Sequence, residues 1–257
     1  MKVLSLFGRF LTLSIPTLVI AACFSPRPTE APIPSKFYKS GNGSKEHLVV
    51  FLPGRGDDID SYERGGFIDA LARSEGALDS VVVDAHLGYY IKRTLGERVY
   101  EDVLVPYREK GYRHFILVGI SLGGVGALRL NEERPEMIAG TVLIAPFLGS
   151  KSTIESVRQA GGVKNWRQQV TDPLSPEEQI WTWIDNMYDS ESAAIPCTVL
   201  AYGRKDSFAP AGDYFAEMLP ESHVFTNDGG HKWVAWGPLW SDILASRSWL
   251  DLGCTLR

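Results

Sequence analysis

The sequence has too few cysteines and too little positive charge for several broad classes of protein. Its 257 residues include three widely spaced cysteines, which fit neither a disulfide-stabilised scaffold nor a cysteine zinc knuckle. Its 26 lysines and arginines are outnumbered by 31 aspartates and glutamates, whereas a nucleic-acid binder normally carries a basic face. Its 25 glycines and 15 prolines show no period, which excludes collagen-like and low-complexity chains. The remaining class is an ordinary globular protein, at a length where an α/β fold often stays a single domain.

The most apolar stretch of the sequence lies at its N-terminus and is short for a membrane-spanning helix. It covers residues 10–22 and follows two basic residues, which is the layout of a secretory signal peptide. The stretch ends in Ile20-Ala21-Ala22-Cys23, which resembles the lipobox of bacterial lipoproteins, where the cysteine is acylated and becomes the new N-terminus. We therefore predict a lipoprotein signal peptide at residues 1–22 and lipidation of Cys23. An ordinary cleaved signal and a retained N-terminal anchor are the alternatives.

A lipidated Cys23 places the protein in the bacterial cell envelope, with membrane contact only through the lipid. Phe24 stands where, by resemblance to lipoprotein sorting, an aspartate would retain the protein at the inner membrane, so the expectation is the outer membrane, facing the periplasm. Residues 23–45 are proline-spaced and polar, which predicts a semi-rigid tether. The alternative is a structured arm in which residues 37–39 form a short edge strand of a hairpin with the chain that follows.

From residue 46 onward, short apolar runs alternate with amphipathic stretches. The runs are rich in Val, Ile and Leu with little polar alternation, as expected for strands that are covered on both faces. This alternation predicts one α/β domain at 46–257, with a mainly parallel sheet of about six to seven strands and helices on both faces. The predicted strands are His47–Leu52, Ser80–Asp84, His114–Gly119, Thr141–Ala145, Thr198–Tyr202 and Ser222–Thr226, and the predicted helices lie near Gly66–Ser74, Thr94–Lys110, Leu122–Glu133, Ala211–Met218 and His231–Leu250.

One long stretch, between the strands ending at Ala145 and beginning at Thr198, interrupts this alternation. It contains helical patterns at Ile154–Gln159 and Glu177–Tyr188 and is longer than an ordinary crossover connection. Long insertions in compact domains are often lids or binding loops. We therefore predict a short helical lid at about residues 149–195.

The predicted strand that begins at His114 runs into Gly119-Ile120-Ser121-Leu122-Gly123, a G-x-S-x-G motif. A motif this short is weak on its own, but here an apolar strand precedes it and a helical pattern follows it. That context is typical of a nucleophile elbow, in which glycines leave room for a strained serine. A serine at a helix N-terminus also lies near free backbone N–H groups, which favour a developing oxyanion. The alternative is a serine N-cap with glycines for close packing.

From His47 to Leu250 the chain resembles the α/β-hydrolase superfamily, through this elbow and the order of the polar residues that follow. The superfamily places its catalytic triad in the order serine, acid, histidine. Asp206 follows a later strand, and His231 follows the last one. The resemblance therefore implies Ser121 as nucleophile, His231 as general base and Asp206 as the acid that orients the histidine. Asp228, close to His231 in sequence, is the alternative acid.

The resemblance also implies an oxyanion hole and a substrate pocket near the serine. Leu122, directly after the nucleophile, is expected to supply one backbone N–H. The segment Pro53-Gly54-Arg55-Gly56 resembles the superfamily's His-Gly-x loop with proline in place of histidine, so Arg55 is expected to supply the second N–H and Gly56 is the alternate. Trp233 and Trp236 fit a Gly-His-x-Trp-x-x-Trp pattern of some feruloyl-esterase-like members, or simply pack. The pocket residues expected here are Gly54, Gly56, His86, Tyr89, Tyr90 and Trp233.

Together these residues predict a serine hydrolase that cleaves small-molecule carboxylic esters through an acyl-enzyme. A thioesterase, peptidase or acyltransferase would use the same triad, and a non-catalytic binding lipoprotein is the alternative from another class. The sequence implies no metal, no organic cofactor and no nucleic-acid partner, and a monomer is the default. Cys197 and Cys254 either pair in a disulfide or stay free, which the sequence leaves open.

Overall fold

The computed structural model of the protein describes residues 27–40, 45–188 and 197–246, and it contains one sheet. Its strands are β1 (Ser35–Tyr38), β2 (His47–Leu52), β3 (Ser80–Val83), β4 (His114–Ile120), β5 (Ile138–Ile144), β6 (Thr198–Gly203) and β7 (Val224–Asn227). Neighbours in the sheet follow the order β1-β3-β2-β4-β5-β6-β7. β1 is antiparallel to β3, and every other pair is parallel. The carboxyl ends of six strands therefore meet at one edge of the sheet.

The central strands are buried on both faces because their side chains alternate between two apolar layers. Along β2, Leu48, Val50 and Leu52 enter one core cluster, whereas Val49 and Phe51 enter the other. Every residue of β2 and of β6 is buried. Strands covered in this way need apolar side chains at every position, which is why they form continuous apolar runs in the sequence.

Helices form the two outer layers. They are α1 (Ser61–Arg64), α2 (Phe67–Arg73), α3 (Leu87–Ile91), α4 (Leu95–Val99), α5 (Val105–Glu109), α6 (Leu122–Glu133), α7 (Lys151–Ala160), α8 (Val163–Arg167), α9 (Pro176–Tyr188), α10 (Ala209–Ala216) and α11 (Trp233–Ala245). A π-helical turn at Tyr100–Leu104 joins α4 to α5, and a 3-10 turn at Glu221–His223 precedes β7. The buried side chains of α1, α2 and α11 belong to one core cluster, and those of the remaining helices belong to the other.

The structure confirms the predicted α/β fold. The six predicted strands correspond to β2 through β7, and each predicted end lies within three residues of the observed one. The largest shift is at the start of β5, which begins at Ile138 because this residue already pairs with Phe115 of β4. The predicted helices correspond to α2, the run from α4 to α5, α6, α10 and α11. Residues 247–250 of the last predicted helix lie outside the described residues.

The first described segment is part of the domain, although the sequence assigns it to a tether. β1 pairs with β3 at the edge of the sheet rather than forming a hairpin with β2. Before β1, Ile33 is buried, and its backbone N–H donates to Asp102 at 2.8 Å. Arg27 forms a two-bond ion pair with Asp84, at 2.9 and 3.1 Å. Spaced prolines favour an extended chain, and both a tether and a segment paired at the edge of a sheet are extended. The prolines therefore do not distinguish the two. We call residues 27–34 the strap.

Three sequence predictions fall outside the described residues: the signal peptide at 1–22, lipidation at Cys23 and the role of Cys254. Cys197, directly before β6, is disulfide-bonded. Within the described ranges, no helix combines the length and the apolar character that crossing a membrane requires.

The predicted lid region folds into three helices that pack onto the domain. Trp166, Ile180 and Trp181 of this region are buried in the same core cluster as one face of the sheet. α9 also packs against α6, the helix that follows the G-x-S-x-G motif. The insertion is therefore an integral layer of the domain. Residues 189–195 of the predicted lid lie outside the described residues.

Replacing Trp181 with alanine is expected to lower the free energy of unfolding by about 3–5 kcal/mol, because it leaves a large cavity in the core. The Trp181 side chain is fully buried, and its indole N–H has no acceptor among the described residues, so its contribution comes from apolar packing. Trp183, two residues along the same helix, is only partly buried, so Trp183→Ala should cost less. Denaturant unfolding of both variants measures the difference, and equal losses would contradict the packing described here.

Candidate active site

The turn between β4 and α6 holds Ser121 in a strained backbone conformation. Its φ of 52° and ψ of −114° lie outside the regions that L-residues normally adopt. Ser121 is the N-cap of α6 by position, but its side chain makes no capping hydrogen bond. The structure therefore contradicts the alternative of a simple serine cap. A strained, largely buried serine at a strand-to-helix turn is the geometry that a nucleophile elbow requires.

Close backbone approach explains the two glycines of the motif. A Cβ on Gly119 would lie 2.4 Å from the carbonyl oxygen of Gly123. A Cβ on Gly123 would lie 1.9 Å from the carbonyl oxygen of Leu52, at the end of β2. Both separations mean atomic overlap with backbone atoms, so larger residues at either position would push the segments apart. The elbow is thereby held directly against the end of β2.

Ser121, His231 and Asp206 form a continuous chain of hydrogen bonds. Ser121 Oγ lies 3.0 Å from His231 Nε2, and His231 Nδ1 lies 2.7 Å from Asp206 Oδ2. An ionised carboxylate only accepts hydrogen bonds, so Nδ1 donates to Asp206 and Nε2 is left to accept the serine hydroxyl proton. The Asp206 side chain is fully buried, and its Oδ1 accepts the backbone N–H of Phe208 at 2.9 Å. The three predicted triad residues therefore lie together within hydrogen-bond distance, in the order that the prediction requires.

The loop that carries His231 is fixed against the loop that carries Asp206. A Cβ on Gly203 would lie 2.2 Å from the carbonyl oxygen of Gly229, so the two loops touch at backbone level. The backbone N–H of Lys205 donates to that same carbonyl oxygen at 2.9 Å. Asn227 joins both sides of the histidine loop, because its Oδ1 accepts from Gly229 and its Nδ2 donates to the carbonyl of Ala235.

Two aromatic rings enclose the imidazole of His231. The rings of Phe208 and Trp236 each lie 4.9 Å from it, centroid to centroid, and each is nearly perpendicular to it. Asp228, the alternative acid, is instead bound by the Arg204 guanidinium at 2.8 and 3.0 Å. Its side chain is 75% exposed, whereas that of Asp206 is 0% exposed. The geometry therefore favours Asp206 as the partner of His231.

The loop after β2 lies against Ser121 and is braced by Asp57. A Cβ on Gly54 would lie 3.4 Å from Ser121 Cβ and 2.8 Å from Asp57 Oδ2. Asp57 donates its backbone N–H to the carbonyl of Gly54 at 3.2 Å, and its Oδ1 accepts the indole N–H of Trp233 at 3.2 Å. Pro53 has no side-chain donor with which to brace the loop. The Asp57–Trp233 contact therefore braces the loop that holds Gly54 against Ser121.

The two expected oxyanion donors lie in segments that adjoin Ser121. Leu122 is the first residue of α6, where a backbone N–H has no acceptor within the helix. Arg55 follows Gly54 in the braced loop and is exposed. Gly56, the alternate donor, has a φ of 88°, a conformation that glycine adopts without strain.

A cavity of about 510 Å³ opens beside Leu122, between α3, α6 and α9. Most of its lining is apolar or aromatic, including Tyr89, Tyr90, Leu95, Val125, Phe147, Ile180 and Trp183. Arg93, Arg129 and Glu177 add charged groups. Burial raises the pKa of the Tyr90 hydroxyl above its ordinary value, so this group stays neutral. Volume and lining are those of a site for a small, largely apolar molecule.

Of the predicted pocket residues, Tyr89 and Tyr90 line this cavity. Gly54 and Gly56 lie in the braced loop, and Trp233 packs on Tyr62 and Phe67 besides binding Asp57. His86 is buried and caps α3, since its Nδ1 accepts the backbone N–H of Gly88 at 3.1 Å. Burial, followed by the Arg27 guanidinium, lowers the pKa of His86 below its ordinary value. His86 is not among the residues that line the cavity, so its place in a substrate pocket stays a prediction.

Three residues with supporting roles are not among the site residues predicted from the sequence. Asp57 is two residues beyond Arg55, Asn227 precedes the Asp-Gly-Gly turn, and Phe208 is two residues beyond Asp206. Proximity to predicted site residues is the only signal that each carries. Among the described residues, no group of three or more His, Cys, Asp or Glu side chains is arranged to hold a metal ion.

Trp233→Phe is expected to slow labelling of Ser121 by a fluorophosphonate about tenfold, because it removes the indole N–H that donates to Asp57 and loosens the proposed oxyanion loop. Trp240→Phe is the matched control. It removes an indole donor from the same helix, but that indole bonds the carbonyl of Phe67 instead. Equal labelling rates for Trp233→Phe and wild type, measured as second-order rate constants, would show that the brace has no role in the site.

No protein-family model matches the sequence, and no curated protein matches it. Several solved structures resemble the fold. A ferulic acid esterase gives a TM-score of 0.58 at 14% identity, over 86% of this chain and 94% of its own. An S-formylglutathione hydrolase from Staphylococcus aureus gives 0.55 at 16% identity, over 80% of each chain. Est1E from Butyrivibrio proteoclasticus, solved with ferulic acid bound, gives 0.55 at 13% identity, over 82% and 92%.

These likenesses span most of each chain, and they agree with the order of the elements described above. A mostly parallel sheet carries an elbow after β4, an acid after β6 and a histidine after β7. The chain therefore has the α/β-hydrolase fold.

Proposed function

We propose that the protein is a serine hydrolase that cleaves carboxylic esters through an acyl-enzyme on Ser121. The observation that carries the proposal is the Ser121–His231–Asp206 chain, with contacts of 3.0 and 2.7 Å, at a strained elbow beside an apolar cavity. A neutral serine hydroxyl is a weak nucleophile and needs a base within hydrogen-bond reach. His231 Nε2 is such a base, and Asp206 fixes its tautomer.

In the first half-reaction, Ser121 Oγ attacks the ester carbonyl carbon while His231 Nε2 accepts the hydroxyl proton. Buried Asp206 stabilises the imidazolium that results. Negative charge develops on the carbonyl oxygen, where the backbone N–H groups of Leu122 and Arg55 are the proposed donors. His231 then returns its proton to the alcohol oxygen, the C–O bond breaks and the alcohol leaves.

In the second half-reaction, water replaces the alcohol and repeats the chemistry. His231 takes a proton from this water, whose oxygen attacks the acyl carbon. The bond to Ser121 Oγ breaks as His231 returns the proton to the serine. The reaction produces a carboxylic acid and an alcohol, and the free enzyme is regenerated without any cofactor.

The cavity suggests the kind of ester that fits. Leu122, one of the proposed oxyanion donors, is among the lining residues, and the cavity extends from it along α6 to Gly126 and Arg129. We infer that it holds a bulky, largely apolar acyl or alcohol group of a small-molecule ester. A thioesterase, a peptidase or an acyltransferase would use the same reacting groups. Hydrolysis rates measured on an ester, a thioester and an amide of one acyl group therefore show which kind of bond the enzyme prefers to cleave.

Asp206→Asn is expected to lower kcat for ester hydrolysis by about four orders of magnitude, because an amide in place of the carboxylate favours the wrong histidine tautomer. Asp228→Asn is the matched control. Its carboxylate is bound by Arg204 and does not contact the triad, so less than about a threefold change is expected. The reverse ranking in a p-nitrophenyl ester assay would make Asp228 the triad acid.

Ser121→Ala tests the nucleophile in the same preparation. A fluorophosphonate should label the wild type and Asp228→Asn at similar rates and Asp206→Asn more slowly. It should not label Ser121→Ala. Stable, well-folded wild type that is neither labelled nor active on esters would contradict the hydrolase proposal and favour a binding lipoprotein.

We also propose that Cys23 is lipidated and anchors the protein to the bacterial envelope. The support is the sequence alone: a charged start, an apolar stretch and the run Ile20-Ala21-Ala22-Cys23. Cys23→Ala is expected to move the protein from the membrane fraction to the soluble fraction of cells, as measured by fractionation and immunoblotting. Mass spectrometry of the wild-type N-terminal peptide should detect acyl chains on Cys23. Membrane association that survives Cys23→Ala would contradict the lipid anchor.

A further inference from the structure

The strap enters the domain at the edge of the sheet that carries the candidate site. β1 runs antiparallel to β3, with Ser35 paired to Val83, so the chain before β1 lies at the carboxyl end of β3. The carboxyl ends of the parallel strands hold Ser121, Asp206 and His231. Between the ends of β3 and β4 there are two strand spacings, or about 10 Å. The strap and the nucleophile therefore share one side of the molecule.

The strap is fixed along α3, which also lines the cavity. Arg27 is held by the Asp84 carboxylate, the Thr29 hydroxyl accepts from Lys92 Nζ at 2.8 Å, and Glu30 exchanges backbone hydrogen bonds with the Tyr89 hydroxyl. These contacts begin at the first described residue. These hydrogen bonds fix the position of the strap beside the mouth of the cavity, which is the side where the exposed lining residues Ile91 and Arg93 lie.

The exposed residues around this mouth are apolar and basic. Ile91 is 60% exposed although it is a large apolar residue, and Lys92 and Arg93 follow it on the surface. Asp84, at the end of β3, neutralises Arg27, and Glu30 is the one acidic residue of the strap, so Lys92 and Arg93 leave this group of five charged residues net positive. An exposed isoleucine beside two cations is suited to an anionic lipid surface. We call Arg27, Ile91, Lys92 and Arg93 the mouth surface.

We propose that the mouth surface docks on the bilayer that carries the Cys23 anchor, so that the cavity receives ester lipids from that same bilayer. This inference rests on the proposed lipid anchor and hydrolase. Three residues lie between Cys23 and Arg27, so the four Cα–Cα steps that join them reach at most about 14 Å. The radius of gyration of a domain this size is about 17 Å, so the anchor cannot reach the opposite edge of the sheet. The edge that faces the membrane is therefore the one that holds Ser121.

The test uses the full lipidated chain in vesicles of phosphatidylethanolamine and phosphatidylglycerol, with two substrates. One is a fluorogenic monoacylglycerol analogue in the bilayer, and the other is a water-soluble p-nitrophenyl ester. Lys92→Glu is expected to lower the rate on the bilayer ester about tenfold and to leave the rate on the soluble ester within twofold, because Lys92 does not line the cavity.

Arg113→Glu is the matched control, since it reverses a charge on a 73% exposed arginine directly before β4, at the opposite edge of the sheet. It should leave both rates unchanged. Equal effects of Lys92→Glu and Arg113→Glu on the bilayer ester would overturn the docking proposal, as would wild type that cleaves only the soluble ester. Wild type that does not cleave the water-soluble p-nitrophenyl ester would instead contradict the proposed hydrolase. Membrane binding that survives Cys23→Ala would contradict the proposed lipid anchor.

Hydrogen exchange supplies a measurement that does not depend on turnover. Backbone amides of residues 87–93 should exchange more slowly in the vesicle-bound wild type than in the unlipidated Cys23→Ala chain mixed with the same vesicles. Equal exchange in both samples would overturn the proposal. So would protection that appears without vesicles and increases with protein concentration, because a second copy of the chain would then occupy the mouth surface.

Discussion

The close contact between Gly123 and the end of β2 is the constraint on which the candidate site depends. The first turn of α6 passes over the carbonyl oxygen of Leu52 with room for a hydrogen atom and nothing larger. The contact is possible because β2 and β4 are neighbours whose register pairs Leu52 with Gly119. It places the N–H of Leu122 beside the loop that leaves β2. The positions of Ser121 and of both proposed oxyanion donors therefore depend on one pair of adjacent strands.

A second backbone contact orders the other half of the site. Gly203 and Gly229 touch where β6 and β7 end, which fixes the spacing between Asp206 and the loop of His231. Burial of the Asp206 carboxylate is tolerated because it accepts hydrogen bonds from the imidazole and from a backbone N–H. The two halves meet through the 3.0 Å contact between Ser121 and His231, so the geometry of the three residues follows from backbone contacts at the carboxyl edge of the sheet.

Much of this arrangement could be predicted from the sequence because its signals are local. Strands buried on both faces form continuous apolar runs, and the elbow glycines lie within two residues of Ser121. The brace between Asp57 and Trp233 could not be predicted in the same way, since the two residues are 176 positions apart and neither type is unusual in its surroundings. The capping role of His86 could not be predicted for a related reason: position after a strand does not reveal that a ring nitrogen caps the next helix.

The pairing of β1 also escaped prediction, and it has the widest consequence. A short strand next to β2 in the sequence suggests a hairpin, but the neighbour of β2 on that side is β3, which arrives later in the chain. Pairing with β3 covers the exposed edge of a parallel sheet, and its antiparallel direction brings the preceding residues to the carboxyl edge. A parallel β1 would bring them to the opposite edge, far from Ser121. The direction of one four-residue strand therefore decides which edge of the domain lies next to the proposed anchor.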